Sequence, residues 1–379
     1  MAQAFYQNFK LGILGGGQLG RMLIQSGIDF NINFSILDPD PQAPCHQLAE
    51  FTHGKLTDFD TVMRFGQSCD LITIEIENVN TDALRELVKQ GKKVFPQPEL
   101  IELIKDKRTQ KQFYLEKGIP TAEFLLTRNK EEVIQNKSFL PAVNKLGKEG
   151  YDGRGVQVLR EEKDLEKAFD APGLLEKLID FDKEIAVIVA RNERGEVTSF
   201  PCVEMVFHPE ANLVEYLFAP ARITKSIGDE AQKIARKVIE ELNLVGLLAV
   251  EMFVTKEGKV LVNEVAPRPH NSGHQTIEAN ITSQYEQHLR AILNLPFGDT
   301  TELLPSAMVN LLGEDGYSGL ATYVGFEDVV NVPGVHVHLY GKKMTKPFRK
   351  MGHVTIVDKD FDSLKKKAKY VKDTLKVIA

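Results

Sequence analysis

Leu247-Leu248-Ala249-Val250-Glu251-Met252-Phe253-Val254 and Val260-Leu261-Val262-Asn263-Glu264-Val265 are two apolar runs parted by Thr255-Lys256-Glu257-Gly258-Lys259. Short runs rich in β-branched residues, separated by a polar segment with glycine, predict the two strands of a hairpin. A two-residue turn at Glu257-Gly258 pairs Lys256 with Lys259, and counting outward puts Glu251 opposite Glu264. Opposed side chains share one face of a sheet, with Cβ atoms about 5 Å apart. Two carboxylates that close among apolar neighbours are costly unless something neutralises them. A divalent cation does so: magnesium, or manganese in its place, takes carboxylate oxygens and fills its shell with phosphate oxygens and water. A register slipped by one residue sends the two glutamates to opposite faces instead.

The chain continues as Ala266-Pro267-Arg268-Pro269-His270-Asn271-Ser272-Gly273-His274. Flanking prolines hold the backbone extended and fix where Arg268 points. A guanidinium there suits charge developing on a phosphoryl or carboxyl group, and His270 suits proton exchange near neutral pH. The spacing of His270 and His274 resembles a zinc motif only superficially, because the segment is not helical. Upstream, Gly150-Tyr151-Asp152-Gly153-Arg154-Gly155 follows the strand-like Leu140–Lys145. Its glycines let backbone amides approach phosphate oxygens, and no Walker Lys-Ser follows it. Lys145 ends that strand and Lys107 opens a polar helix at 106–117; both can reach a phosphate, although each alone also fits a surface lysine. Glu176 ends the strand Leu174-Leu175, at an edge able to pair with adenine, and Glu184 can hold ribose hydroxyls. Near the C-terminus, Tyr340-Gly341-Lys342-Lys343 and Phe348-Arg349-Lys350-Met351-Gly352-His353 bring cations close to glycines, which suits a monoester phosphate or a solvated loop.

At the N-terminal end, residues 11–15 predict a buried strand and 18–29 a helix. Further strands are expected at Phe34–Leu37 and Asp70–Ile76, and the alternation implies a parallel sheet with helices on its faces. Gly15-Gly16-Gly17-Gln18-Leu19-Gly20 satisfies GxGxxG, with Asp38 near the place of a ribose-binding acid. That pattern suggests a dehydrogenase, but a reductase needs neither a second glycine loop nor paired buried glutamates. The amides opening the helix at Gln18 can hold any phosphate. Glu75 and Glu77 follow the third strand, where ligands of open sheets bind. Further on, Val187–Ala190 and Val197–Val206 predict strands, 228–243 an amphipathic helix, 306–312, 335–339 and 353–357 short strands, and 361–377 a lysine-rich helix with a solvated face.

The 379 residues imply two or three domains. A net charge of −6 argues against a general nucleic-acid binder. The three cysteines, Cys45, Cys69 and Cys202, form no paired motif and fit a reduced, cytoplasmic setting. No signal-like or membrane-length apolar run is expected.

Together these motifs resemble the ATP-grasp superfamily, and within it the 5-(carboxyamino)imidazole ribonucleotide synthetase family. GGGQLGRM at 15–22, EIEN at 75–78, DKRTQKQ at 106–112, GYDGRG at 150–155, NEVAPRPHNSGH at 263–274, YGK at 340–342 and RKMGH at 349–353 carry the resemblance along nearly the whole chain. It implies a mixed α/β and α+β fold. A doubly wound, Rossmann-like domain would span 1–104, and an ATP-grasp domain 105–298 with a small lobe at about 121–180. A small C-terminal domain would span 299–379. By residue matching, ATP would contact Lys107, Lys145, the loop Gly150, Tyr151, Asp152, Gly153, Arg154 and Gly155 with Val156 after it, the segment Glu176, Lys177, Leu178 and Ile179, then Glu184, His208, Asn263 and Glu264. Glu251 and Glu264 would carry magnesium. Aminoimidazole ribonucleotide would lie against Gln18, Leu19, Glu75, Asn271, Lys342 and Arg349, with Tyr151, Asp152 and Arg154 closing over it. Arg268 would hold carboxyphosphate, and His270 or Asp152 would handle the proton. The pattern departs at Glu149, where a second glycine is common, and at Val156, where a glutamine often stands. The implied reaction consumes ATP, bicarbonate and aminoimidazole ribonucleotide and gives ADP, phosphate and the N-carboxylated ribonucleotide, in a homodimer with no nucleic-acid or membrane partner. Rival readings are a formate-dependent ATP-grasp ligase, an oxidoreductase and a non-catalytic nucleotide-binding subunit.

Overall fold

The computed structural model describes residues 9–148, 155–207 and 214–379. Its first sheet is parallel and five-stranded, in the spatial order Glu50–His53, Asn33–Asp38, Lys10–Leu14, Leu71–Ile74, Lys93–Val94. Ile13, Leu14, Ile36, Leu37, Ile72 and Ile74 are completely buried, as expected of a sheet covered by helices on both faces. Strand order reverses between Lys10–Leu14 and Leu71–Ile74, so the crevice beyond their C-terminal ends is where ligands of such sheets bind. Two groups border that crevice: the glycine turn leading into helix Gln18–Ile28, and Glu75 to Glu77.

Past Pro98–Lys105 and the linking helix Lys107–Glu116, the chain builds a small antiparallel sheet. Its order is Phe124–Thr127, Gly173–Lys177, Ala142–Leu146, Val156–Leu159. It then enters a nine-stranded antiparallel sheet that includes Phe181–Arg191, Val203–Phe207, Val214–Ala219, Gly246–Thr255 and Val260–Ala266. That sheet continues without a break into Ser306–Leu312, Lys350–Val357 and Val335–Leu339. Helix Lys225–Leu242 lays Ala231, Ile234, Ala235, Val238, Ile239 and Leu242 on one stripe against its first half. Helix Phe361–Thr374 does the same with Leu364, Ala368 and Val371 against its second half.

Three expectations are corrected. The run Val197–Val206 is two strands, Val197–Ser199 and Val203–Phe207, because Pro201 has no N–H to give a ladder. The helix expected over 228–243 starts earlier, at Lys225, where the Thr224 hydroxyl accepts from the Ile227 amide. The last helix stops at Thr374, and Lys376–Ile378 pairs with Thr322–Val324 instead.

The first sheet is joined to the helix Gln284–Ile292 by a buried hydrogen bond between Thr73 Oγ1 and His288 Nε2, 2.9 Å long. Burial pushes His288 down to about 3. The folded ring therefore stays neutral while the unfolded ring takes up a proton below its ordinary value of about 6.5. Stability is lost as pH falls through this window, by about 2 kcal/mol at pH 5 from this residue alone. His288→Asn should make the acid limb of a urea-melting series shallower between pH 6.5 and pH 5, and an unchanged slope would contradict this account.

Candidate functional site

The hairpin places Glu251 opposite Glu264, but not by the route counted from the turn. Its loop has three residues: the Thr255 amide donates to Lys259 O and the Gly258 amide to Thr255 O, each at 2.9 Å, with Gly258 at φ +77°. Lys256 therefore does not pair with Lys259. Near the turn Val254 faces Val260 and Met252 faces Val262, one residue out of the expected register. A β-bulge then absorbs Asn263 and restores Glu251 to Glu264. A bulge puts two residues of one strand against one of the other. Here it lets Asn263 and Glu264 both reach lysines from outside the hairpin. Asn263 Oδ1 accepts from Lys145 Nζ at 2.9 Å, and Glu264 is paired with Lys107.

Charges around this pair alternate. Lys145 Nζ also lies 3.1 Å from Glu176 Oε2, as does Lys111 Nζ. Lys107 stands at the first turn of Lys107–Glu116, Lys145 on Ala142–Leu146 and Glu176 on Gly173–Lys177, so the small sheet and the linking helix close over the large sheet at this point. Glu184 faces Phe253 across the ladder, while Ala186 faces Glu251, which sets Glu184, Phe253 and Glu251 on one face. Phe253 stacks on Phe181 with ring centroids 4.8 Å apart, a flat apolar floor beside the carboxylates. The Lys107 ammonium holds Glu264 well below the usual carboxylate range. Burial, then repulsion from Glu264 and Glu184, pushes Glu251 up. Burial carries Glu184 to about 7. His270 Nε2 is 3.3 Å from Glu251 Oε1, and its Nδ1 is 2.9 Å from Ser272 Oγ.

The first glycine turn is committed elsewhere. Asp38 accepts from the Gly16 amide at 2.6 Å, and Glu75 accepts from Gly17 at 2.6 Å and Gly20 at 2.8 Å. A side chain at Gly17 would collide with the Glu75 carboxylate. The Gly16, Gly17 and Gly20 amides, which a dinucleotide phosphate would need, are thus already paired with carboxylates of the same domain. Leu19 packs in the core, which leaves Gln18 as the half-buried side chain at the crevice. Glu77 pairs with Arg268 at 2.9 Å, which ties this crevice to the loop after the hairpin.

Asn271 makes a reciprocal amide pair with Asn310, both bonds 2.9 Å. Lys342 Nζ donates to Lys350 O and Arg349 Nη1 to Met344 O, each at 2.8 Å. The neighbouring Tyr340 packs with Leu19, Met22 and Leu23 of the first domain. His274 does not converge with His270. It is buried beside Tyr285, whose Oη lies 3.0 Å from its Nδ1, and against His353. Lys177 and Leu178 donate their amides to Glu123 O and Pro141 O, so an adenine at that edge is left to other backbone groups, with Ile179 next in line. Gly155 and Val156 stand at the foot of the second glycine loop: Leu146 N donates to Gly155 O, and Val156 pairs with Lys145. Gly150, Tyr151, Asp152, Gly153, Arg154 and His208 lie outside the described residues.

Sequence reading gave no role to Lys111 or Phe253, and offered Lys350 to a phosphate rather than to Glu251. Lys111 is four residues from Lys107 on one helix, a spacing that shares a face and was available as a signal. Phe253 shares the period-two face of Glu251. Lys350, whose charge acts on Glu251, comes from a distant strand, and only the tertiary fold brings it there.

The donor set suits a hard cation, since Glu251 and Glu264 oppose each other in a cleft where lysines already meet carboxylates. Among the described residues no group of three or more His, Cys, Asp or Glu side chains could hold a metal ion by itself. A cation here draws its other ligands from phosphate and water. A doubly wound domain, a small antiparallel lobe closing on a large sheet, and lysines converging on opposed glutamates define an ATP-dependent ligase of the ATP-grasp fold.

Residues 112–285 match the ATP-grasp domain, 9–105 the ribonucleotide synthetase preATP-grasp domain, and 306–367 the phosphoribosylaminoimidazole carboxylase C-terminal domain. The chain is 38% identical over 368 residues to N5-carboxyaminoimidazole ribonucleotide synthase of Bacillus subtilis, covering 95% of this chain and 94% of that one. The crystal structure of N5-carboxyaminoimidazole ribonucleotide synthetase from Thermotoga maritima superposes with a TM-score of 0.90 at 42% identity, covering 98% and 99% of the two chains. That of N5-carboxyaminoimidazole synthase from Aspergillus clavatus, in complex with ADP and 5-aminoimidazole ribonucleotide, gives 0.87 at 33% identity, covering 97% and 98%. The chain belongs to the N5-carboxyaminoimidazole ribonucleotide synthase family.

A cation between Glu251 and Glu264 favours their ionised forms. Because Glu251 and Glu184 are both raised, binding of magnesium–ADP should release protons near pH 7 and release fewer at pH 9, where both are already ionised. Calorimetry in two buffers of different ionisation enthalpy measures this, and equal heats at pH 7 would contradict it.

Proposed function

We propose that this chain joins bicarbonate to the amine of aminoimidazole ribonucleotide at the expense of ATP, giving ADP, phosphate and N5-carboxyaminoimidazole ribonucleotide in purine synthesis. One observation carries the reading: Glu251 and Glu264 oppose each other across the bulged hairpin, one beside His270 and the other paired with Lys107. Lys107 and Lys145 exchange their carboxylate partners for nucleotide phosphates. Glu184 and Asn263 hold the ribose and phosphate side, and the segment Glu176 to Ile179 the adenine. Magnesium at Glu251 and Glu264 would supply charge neutralisation for the triphosphate.

Bicarbonate is a poor electrophile. Transfer of the γ-phosphoryl group to one of its oxygens gives carboxyphosphate and ADP. Loss of phosphate leaves carbon dioxide beside the exocyclic amine, whose nitrogen forms the new C–N bond and sheds a proton. Arg268, which pairs with Glu77 at 2.9 Å, steadies the carboxyphosphate. The proton goes to Asp152 or His270; Nδ1 of His270 accepts from the Ser272 amide at 3.3 Å, so the neutral ring carries its hydrogen on Nε2, beside Glu251. Water must be excluded or the intermediate is lost, a task that falls to the loop Gly150–Gly155. The ribonucleotide lies in the crevice near Gln18 and Glu75, with Lys342 and Arg349 on its phosphate and Asn271 beside it. The names of the relatives and the ribonucleotide bound in the Aspergillus clavatus structure support this substrate. Among the described residues no helix is long and apolar enough to cross a membrane, and a cytoplasmic homodimer is the setting proposed.

ADP release should require aminoimidazole ribonucleotide and bicarbonate together, and should stop in bicarbonate-depleted buffer. Glu264→Ala should lower it by on the order of 100-fold with the melting transition retained. Turnover surviving in that variant would remove the metal assignment, and activity restored by formate instead of bicarbonate would select the rival ligase.

A further inference from the structure

Glu176 is 3% exposed at its side chain and carries two ammonium groups, Lys145 and Lys111, each 3.1 Å from the same oxygen. The two lysines are not equivalent. Lys145 sits on a strand at the foot of the glycine loop, is 11% exposed, and shares its ammonium with Asn263 at the cleft. Lys111 is 3% exposed, and its ammonium is also bonded to Thr121 Oγ1. Thr121 in turn donates to Val262 O at 2.7 Å and bridges to Val262, the residue before Asn263. Lys111 is thus fixed between the linking helix and the hairpin, while Lys145 faces the space where a triphosphate would lie.

In the structure Lys107 rests on Glu264 and Lys145 on Glu176. When the lysines turn to phosphate, both carboxylates lose a cation, and for the buried Glu176 an uncompensated charge is costly. Glu264 would gain the cation proposed between it and Glu251. Glu176 lies beyond the opposed glutamates and needs another source of positive charge. We propose that Lys111 is a positioning residue for ATP binding: it keeps Glu176 neutralised so that Lys145 can leave it for the nucleotide. This inference rests on the ligase reading and deepens it.

The test is a double-mutant cycle on the full chain, read as binding of the magnesium complex of a non-hydrolysable ATP analogue and as KM and kcat. Lys111→Met should weaken analogue binding by about tenfold and raise KM for ATP, with kcat within about threefold of wild type. Lys111→Arg should recover much of the loss. The decisive variant is Lys111→Met combined with Glu176→Gln. With no buried carboxylate left to neutralise, it should bind the analogue better than Lys111→Met alone. Losses that simply multiply overturn the proposal. Should Lys111→Met fail to fold, the double variant carries the test: recovery of fold and binding supports it, and an equally unfolded double variant overturns it. Wild-type protein that takes up no analogue would instead defeat the ligase reading, and this inference with it.

Discussion

The cleft depends on compensation between buried charges. Glu176 and Glu251 are enclosed by sheet and helix, with Glu264 half-exposed at their side, and the two enclosed carboxyls are tolerable only because a cation or an acidic proton answers each. Lys107, Lys111 and Lys145 supply most of that answer, and they come from a helix and a small sheet that are far in sequence from the hairpin. The same contacts hold the small lobe against the large sheet. The proposed exchange with a polyanion and its metal fits this balance, because such a ligand would bring both the charge that takes the lysines and the charge that replaces them.

The crevice of the first domain shows how one backbone motif is put to another use. The strand, glycine turn and helix of a dinucleotide site are all present. Glu75 and Asp38, however, fill the positions a pyrophosphate would take. Negative charge at a helix N-terminus is favourable whatever carries it. Both carboxyls pay in desolvation, which pushes them upward. The result is a rigid wall opposite Arg268, with Gln18 left at its rim.

The C-terminal region takes part in the same assembly. Its strands extend the large sheet, which carries Lys350 at the end of the ladder beside Leu312, and Lys342 Nζ donates to the Lys350 carbonyl. His274 packs tilted at 37° against His353, 4.7 Å between centroids, and His353 stacks on His338 at 4.4 Å, which locks the end of the Arg268–His274 loop to that extension. Burial keeps His274 and His353 neutral, so the stack carries no internal repulsion.

By itself the sequence determined the element types, the parallel first sheet, the hairpin and the set of residues that bear charge, since periodicity, glycine turns and proline stops are local properties. It also put Glu251 opposite Glu264, through two errors of one residue that cancel: a three-residue loop in place of two, and a bulge at Asn263. Neither is fixed by hydrophobic alternation: the loop follows from Gly258, whose left-handed φ of +77° closes a three-residue turn, and the bulge lets Asn263 and Glu264 both reach lysines outside the hairpin. Tertiary structure alone decided that Glu75 would close the glycine turn, that Lys111 would be buried on Glu176, and that Lys350 would approach Glu251. Each of these is a meeting of charges from separate segments, and the energy of a buried charge is set by what folding brings within a few ångströms of it rather than by its neighbours in the chain.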